Sequence, residues 1–322
     1  MSIKLDKIDK RILLELDKNA RIADTKLAKM VGRSKESIRY RIKQLQEKQI
    51  IQGFTIWIDP TKLGYQSAKI YLNLANKPER KKEFINYIKQ DKRLFWLGTA
   101  EGAWNIGITY FVKDNREFYD LKNQIFSEFK DLILDSHTAN LVSVNICHKS
   151  FFHHEITEWK TTFNKIEFLK IDDIEKKILK ELFLNSRINV VDIARKYHTT
   201  IDIIRHRIKK LDERKIIFRY NAIINHNLLG HEFFKSFLYF KNLNNNDEER
   251  LMEYTRKVPE IIHLVKQISP WDVELEIMCE NYLDYNKIIS ELTQEFANII
   301  QKVETAIMHE DYLFPAKEMI FE

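Results

Sequence analysis

The sequence predicts an α+β protein in which a three-helix unit is followed by a βαββαβ unit, and this pair of units occurs twice. Three observations predict it. Residues 8–51 and 174–217 align without a gap at a constant offset of 166, and 19 of the 44 paired positions are identical, where average residue usage gives roughly three by chance. Within each copy the apolar residues first recur at helical spacing and then alternate as strands do. The period is far too long for a solenoid, so a whole domain pair is duplicated within one polypeptide.

In the first copy Asp6 is positioned to cap a helix with the apolar stripe Ile8, Ile12, Leu13 and Leu16. Asp24 is read as the cap of a second, short helix carrying Leu27, Ala28 and Val31, and Gly32 as a turn that needs positive φ. Ser34 caps a third helix reaching about Lys48, with Ile38, Ile42 and Leu45 on its buried face. Three helices with a short turn before the third describe a helix-turn-helix. The β-rich stretch 50–58 then suggests a wing strand.

The next part of the first copy reads as strand 66–74, helix 79–90, strands 94–100 and 104–112, helix 116–129 and strand 137–146. The second copy repeats it as strand 233–241, helix 247–257, strands 261–268 and 271–279, helix 282–296 and strand 302–309. This order is ferredoxin-like. The fold class is therefore two winged helix-turn-helix domains alternating with two ferredoxin-like domains. The predicted boundaries are 1–57, 58–147, an aromatic connector at 148–168, then 169–223 and 224–322. The connector carries Phe151, Phe152, Trp159, Phe163 and Phe168 without Gly or Pro, so it is expected to dock and to hold the halves in a defined arrangement.

Composition narrows the class further. At 322 residues and 44% hydrophobic content each unit can bury a core, and with 7 glycines the turns must use other residues. Two cysteines, Cys147 and Cys279, occupy unmatched positions and make a disulfide framework or cysteine zinc site unexpected. His148, His153 and His154 cluster beside Cys147 and Glu155 but match no metal-ligand spacing, so no metal or other cofactor is expected. There is no apolar leader and no run of the ~18 apolar residues that a membrane span needs. The protein is expected to be intracellular and cytoplasmic. The net charge of +6 is mild, but its placement is informative.

The exposed face of the third helix carries Lys35, Glu36, Arg39, Tyr40 and Lys43, with Arg41 at the edge of the buried stripe. Residues 34–49 hold five Lys/Arg against two acids, and 200–215 hold six against three, so each window nets +3. Such a helix can neutralise phosphates and offer its first turn to base edges in a major groove. A merely solvated charged face is the plainer reading. The helix-turn-helix setting and the Arg-x-Arg-Ile-Lys core retained in both copies favour double-stranded DNA. The candidate contacts are Ser34, Lys35, Arg39, Tyr40, Arg41 and Lys43, with Thr200, Arg205, His206, Arg207 and Lys209 in the second copy. Arg39, Arg205 and Lys35 are assigned to base or groove contact. Arg41, Arg207, Lys43 and Lys209 are assigned to phosphate contact or helix anchoring.

These residues resemble the leucine-responsive/asparagine regulator (Lrp/AsnC) family of transcription factors. The resemblance rests on residues 5–13, Asn19-Ala20-Arg21, Leu27-Ala28, Gly32-Arg33-Ser34, residues 41–45 and the bridge 58–65. It extends to hairpin motifs at Gly102-Ala103-Trp104-Asn105-Ile106 and Pro270-Trp271-Asp272-Val273. It implies a winged-helix DNA-binding domain, a ferredoxin-like domain that self-associates, and an amino-acid-like effector. Trp104, Asn105, Trp271 and Asp272 are the effector candidates, although for Trp104 and Trp271 core packing is the plainer role. The chain resembles a tandem form, in which the two ferredoxin-like domains pair within one polypeptide as a pseudo-dimer.

Departures distinguish the copies. Gln49 and Lys215 stand where the family usually has Gly, Asn105 replaces the hairpin Asp, and Pro270 replaces the hairpin Gly. In copy two His198 takes the turn position, and Ile201 and Asp202 replace Lys35 and Glu36. Asp202 repels phosphate unless it accepts from a cytosine amino group, so copy one is expected to bind DNA more strongly. Two rivals are weighed. Fused siroheme decarboxylases resemble this architecture, but residues 95–100 lack their His, Tyr and Arg, and 261–268 lack the Tyr and Arg. A protein-interaction scaffold would not need the retained basic face. The expected function is transcription regulation, not catalysis.

Overall fold

The computed structural model describes residues 3–147, 149, 159–162, 165–315 and 319. The first copy runs α1 (Lys7–Lys18), α2 (Asp24–Val31), α3 (Lys35–Glu47), β1 (Ile51–Ile58), β2 (Gln66–Leu74), α4 (Pro78–Gln90), β3 (Leu94–Gly102), β4 (Ile106–Val112), α5 (Asn115–Glu128) and β5 (Ile133–Ile146). A short strand β6 (Lys160–Thr162) precedes the second copy. That copy comprises α6 (Asp173–Leu184), α7 (Val190–Lys196), α8 (Ile201–Glu213), β7 (Ile217–Ile224), β8 (Glu232–Phe240), α9 (Asn245–Arg256), β9 (Ile261–Ile268), β10 (Val273–Cys279), α10 (Tyr282–Glu295) and β11 (Ile300–Leu313).

Local chemistry sets most helix ends. Asp6 caps α1 by accepting from the Asp9 N–H at 2.7 Å, and Asp172 forms a capping box with Glu175 on α6. Gly32 closes α2 at φ 68°. Asp24 does not cap α2: Ala23 holds that position, and the Asp24 carboxylate is taken by Arg39 at 2.8 Å and Arg187 at 2.5 Å. Gln49, His198 and Lys215 all adopt φ between 52° and 58°, a conformation that costs a non-glycine residue about 1–2 kcal/mol.

The strand expected as a wing pairs across the repeat instead of within its own unit. β1 and β7 form a two-stranded antiparallel ribbon with Thr55 opposite Asn221. These two residues are themselves equivalent at the offset of 166, so a pseudo-twofold axis passes between them. Each helical unit uses both strands of the ribbon to complete its core. Ala222 and Ile224 of β7 are buried with Ile12, Leu16, Ile38 and Leu45, while Ile56 and Ile58 of β1 are buried with Ile178, Leu182, Ile204 and Leu211. The Ala20 N–H donates to the Tyr220 carbonyl at 3.0 Å, and its counterpart Ser186 donates to Phe54 at 2.9 Å.

A reciprocal arginine clasp closes this junction. Arg21 Nη1 donates to the carbonyls of Ser186 (2.7 Å) and Ile188 (3.1 Å). Arg187 Nη1 donates to those of Ala20 (2.6 Å) and Ile22 (3.4 Å). Each guanidinium also lies over a ring of the other copy, Arg21 over Tyr220 and Arg187 over Phe54.

The remaining strands close on themselves. Their order is β2-β4-β3-β11-β8-β10-β9-β5, and β5 pairs back to β2, giving an eight-stranded antiparallel barrel with β6 added on β5. Each copy contributes a ferredoxin-like half. The last strand of each copy serves both halves, and it is longer than the sequence suggested, β5 at its start and β11 at both ends. Residues 133–140 of β5 pair with β2 and residues 140–146 with β9, and β11 divides in the same way between β8 and β3. The outer face of each half carries its own helices: α4 and α5 cover Ile70, Leu72 and Ile108, and α9 and α10 cover Phe234, Leu238 and Leu275. The inner face holds Lys69, Tyr71, Lys235 and Phe237. Residues on both faces of β2 and β8 are therefore buried, and the alternation of sequence separates outer from inner, not apolar from wet.

The described part of the connector docks. β6 pairs with β5, Thr162 Oγ1 donates to Asp59 Oδ2 at 2.6 Å, the Glu167 N–H donates to the Thr61 carbonyl at 2.6 Å, and Trp159 packs on the second ferredoxin-like core. Phe168 departs from that expectation, its side chain being 82% exposed beside Gly64. Phe151, Phe152 and Phe163, and the cluster His148, His153, His154 and Glu155, lie outside the described residues. Among the described residues no helix is long and apolar enough to cross a membrane.

Two stability predictions follow from these contacts. Arg21→Ala should lower unfolding free energy in urea by about 2–3 kcal/mol, the range for buried hydrogen bonds from a charged donor, and Arg187→Ala by a similar amount. A loss under about 0.5 kcal/mol, a typical surface value, would show that the clasp is idle. The second concerns acid. Burial pushes the Glu274 carboxyl up, but the ammonium groups of Lys235 and Lys69 outweigh it and hold the pKa down to about 2. A depressed carboxyl stabilises the fold above its unfolded pKa of about 4.3 and loses that contribution as pH falls toward the folded value. Chemical denaturation should therefore show stability falling between about pH 4.5 and 2, with Glu274→Gln flattening that part of the profile.

Candidate nucleic-acid interface

The third helix of each unit is placed by its buried stripe, and the opposite face follows from helical geometry. On α3, Ser34 caps by accepting from the Ser37 N–H at 3.2 Å, while Ile38, Ile42 and Leu45 are buried. Glu36, Arg39, Tyr40 and Lys43 face solvent, with Lys35 half-buried at the first turn. On α8, Thr200 caps by accepting from the Ile203 N–H at 3.3 Å, Ile204, Ile208 and Leu211 are buried, and Asp202, Arg205, His206 and Lys209 are exposed.

The two arginines of each Arg-x-Arg core have different surroundings. Arg39 and Arg205 are 61% and 64% exposed; Arg39 meets Asp24 at 2.8 Å and Arg205 meets Asp202 at 3.4 Å. An exposed pair such as Arg205–Asp202 contributes about 0–1 kcal/mol, so Arg205 can exchange its carboxylate for a phosphate or base at little cost, whereas the Asp24 that holds Arg39 is mostly shielded and shared with Arg187. Arg41, in contrast, donates to Asp6 at 2.8 Å and Asp9 at 2.7 Å, and those hydrogen bonds raise the guanidinium's pKa. Arg207 is likewise held by Asp172 at 2.9 Å and Glu175 at 3.6 Å. Both tie the third helix to the start of the first. Lys43 and Lys209 are about three-quarters exposed, each 3.6 Å from the glutamate four residues on.

The leading turns are unequal. Lys35 begins α3, whereas Ile201 and the exposed Asp202 begin α8, where Asp202 occupies the guanidinium of Arg205 on the same helix.

The four effector candidates are engaged by the protein itself. Trp104 and Trp271 are each 2% exposed and pack with Tyr71 and Phe237 inside the barrel. The Asn105 side chain accepts from the Leu74 N–H at 2.9 Å, and Asp272 accepts from the equivalent Phe240 N–H at 3.0 Å, so both finish the edge of a sheet. A cavity of about 480 Å³ lies elsewhere, between the ribbon and the barrel, lined by Trp57, Arg219, His226, His263, Glu276 and Asp311 among others. Burial pushes the His226 pKa down to about 3, so this imidazole is neutral near pH 7. Sequence reading missed this cavity and the buried lysines Lys69 and Lys235. Alternation alone assigns those lysines to a solvent face, and only barrel closure buries them.

Known proteins agree with this architecture. An AsnC-type helix-turn-helix domain profile matches residues 5–46. The HTH-type transcriptional regulator LrpA of Pyrococcus abyssi is 36% identical over 117 residues, covering 36% of this chain and 82% of that protein. The HTH-type transcriptional regulator Ptr1 of Methanocaldococcus jannaschii is 34% identical over 110 residues, covering 34% of this chain and 74% of that one. The chain belongs to the Lrp/AsnC family of transcriptional regulators. Its whole length also superposes on a solved structure of the siroheme decarboxylase NirDL in complex with an iron-uroporphyrin III analogue, with a TM-score of 0.66 at 14% identity, covering 98% of this chain and 96% of that one. At that identity the likeness is one of fold.

If Arg205 is held only by a surface ion pair, Asp202→Asn should free it. DNA affinity measured by fluorescence anisotropy should stay the same or rise, while Arg41→Ala should lower thermal stability as well as affinity. An Arg41→Ala protein with unchanged unfolding would refute its anchoring of α3.

Proposed function

We propose that the chain regulates transcription as an intramolecular pseudo-dimer that binds one imperfect palindrome in double-stranded DNA, one half-site per copy. The β1–β7 ribbon supports this reading, because it relates α3 to α8 by a pseudo-twofold axis, and half-site symmetry mirrors protein symmetry. Arg39, Tyr40 and Lys35 meet base edges or the groove wall in one half-site, with Ser34 at the helix start. Arg205, His206 and Thr200 serve the other. Lys43 and Lys209 neutralise phosphates, and Arg41 and Arg207 hold the two helices in position. With Asp202 at its leading turn, copy two binds more weakly or reads a different base set.

A small amino-acid-like effector would act from the ribbon–barrel cavity, where it touches β7 and the barrel together and biases the angle between the recognition helices. The protein is not an enzyme in this reading. The rival, a siroheme-decarboxylase-like activity, draws on overall fold. Within β3 the His, Tyr and Arg of that reading are missing, and β9 supplies His263, whose Nδ1 is engaged by Glu276. A porphyrin titration should leave the absorbance spectrum unchanged, and a tight Soret shift would overturn the non-enzymatic reading.

Genome-wide mapping of bound DNA should return a site with two related but unequal halves. Affinity should fall steeply with salt as counterions are released. Arg39→Ala should cost about 1–3 kcal/mol and relax preference at one position, whereas Lys43→Ala should weaken all sequences alike and reduce the salt slope by about one. Binding without sequence preference, or identical half-sites, would sink the proposal.

A further inference from the structure

The barrel interior is charged, and the charge is divided unequally between the copies. Lys69 on β2 and Lys235 on β8 are equivalent and nearly fully buried. Glu274 receives both: Lys69 Nζ lies 2.9 Å from its Oε2 and Lys235 Nζ 2.8 Å from its Oε1. Tyr71 donates to the same Oε2 at 2.6 Å, and Lys235 also meets Glu276 at 2.5 Å. His263 engages Glu276, and the Trp96 indole N–H donates to Asp311.

Strand register identifies what stands at the matching positions of copy one. Lys235 lies opposite Glu276, whereas Lys69 lies opposite Thr109; Phe237 lies opposite Glu274, whereas Tyr71 lies opposite Gly107. By the same register His263 corresponds to Trp96, and Asp311 to Val144. Copy one therefore brings a buried lysine and a buried indole N–H but no carboxylate at these positions. Copy two brings one lysine and every carboxylate of the cluster.

We infer that this cluster is a pairing code, which makes the first ferredoxin-like half accept only the second half as its barrel partner. Two first halves would bury two lysines with no carboxylate and leave each Trp96 N–H facing a valine. Two second halves would bury four glutamates and two aspartates against two lysines. The mixed pair sets two lysines against two glutamates and gives Asp311 the Trp96 N–H. Breaking a buried pair so that one charge is left uncompensated is strongly destabilising, and specificity arises from such penalties on the wrong partner. The code keeps each chain closed on itself and bars exchange with a second copy of its own first module. It stands apart from the DNA-binding reading, because its test involves no DNA.

The test uses the full chain with a protease site inserted between Lys149 and Trp159, cleaved after folding. The cut protein is unfolded, refolded and weighed by native mass spectrometry. The native sequence should return mixed pairs alone. Thr109→Glu combined with Glu276→Thr gives each half one lysine and one glutamate, and should return like pairs beside the unlike pairs that the docked connector and the Trp96–Asp311 contact still favour. Like pairs from the native sequence, or exclusive mixed pairing from the levelled variant, would overturn the inference. If the levelled variant fails to refold, the uncut chain decides. Lys69→Glu and Glu274→Lys should each lower the thermal unfolding midpoint, and the double exchange should recover much of it. A double variant no more stable than the weaker single would also overturn the inference.

Discussion

Everything in this molecule depends on a hydrophobic core that neither copy can finish alone. The three helices of each unit leave an apolar face open, and a strand of the other copy helps to cover it. Ala222 and Ile224 do this for α1–α3, and Ile56 and Ile58 for α6–α8. Because β1 and β7 are also each other's only ladder partners among the described residues, neither helical unit can shift without straining the other. The spacing of α3 and α8 is thus a property of packing in the ribbon, set by the same contacts that make the domains stable.

Duplication within one chain has allowed the symmetric parts of the design to diverge. Residues that hold the copies together have stayed paired: Arg21 with Arg187, Ala20 with Ser186, and the backbone bonds that each makes to the opposite copy. Residues at the starts of the third helices or in the barrel interior have not. Lys35 and Ile201 begin α3 and α8, and Gly107 and Glu274 occupy one position in two inner faces. A symmetric homodimer must place the same residue at both ends of its twofold axis. This chain is free of that restriction, and its asymmetry lies at the starts of α3 and α8 and in the barrel interior.

Much of the fold was legible because local signals and tertiary packing agree. The limits of β2 and β9 match the sequence reading residue for residue, and Asp6, Gly32 and Ser34 act as their chemistry suggests. What was illegible is long-range. A wing strand and a ribbon strand have the same alternation, so the pairing of β1 with β7 has no local signature. β5 was underread at its start, where residues 133–136 include Asp135 and Ser136 yet pair with β2 of the same half, and β11 chiefly at its end, where residues 310–313 look polar until β3 of the other half supplies a partner. Of the candidate interface, the helix and its face were readable, but the distinction between Arg39 and Arg41 was not. It depends on Asp6 and Asp9, about 30 residues away in sequence and brought close by the α1–α3 packing.

The shared strands also set the order in which the chain can be made. While only the first copy has emerged from synthesis, β1 has no ladder partner and β3 shows an open edge, as does the distal half of β5. Open strand edges of this kind invite pairing with other chains, and closure waits for partners more than a hundred residues further on. Such non-local pairing is intrinsically slow. The last of the described strands, β11, is the one that joins β8 to β3 and shuts the barrel. The nascent first half is therefore the most vulnerable form of this protein, and its production depends on how well those edges are shielded until the C-terminal strand arrives.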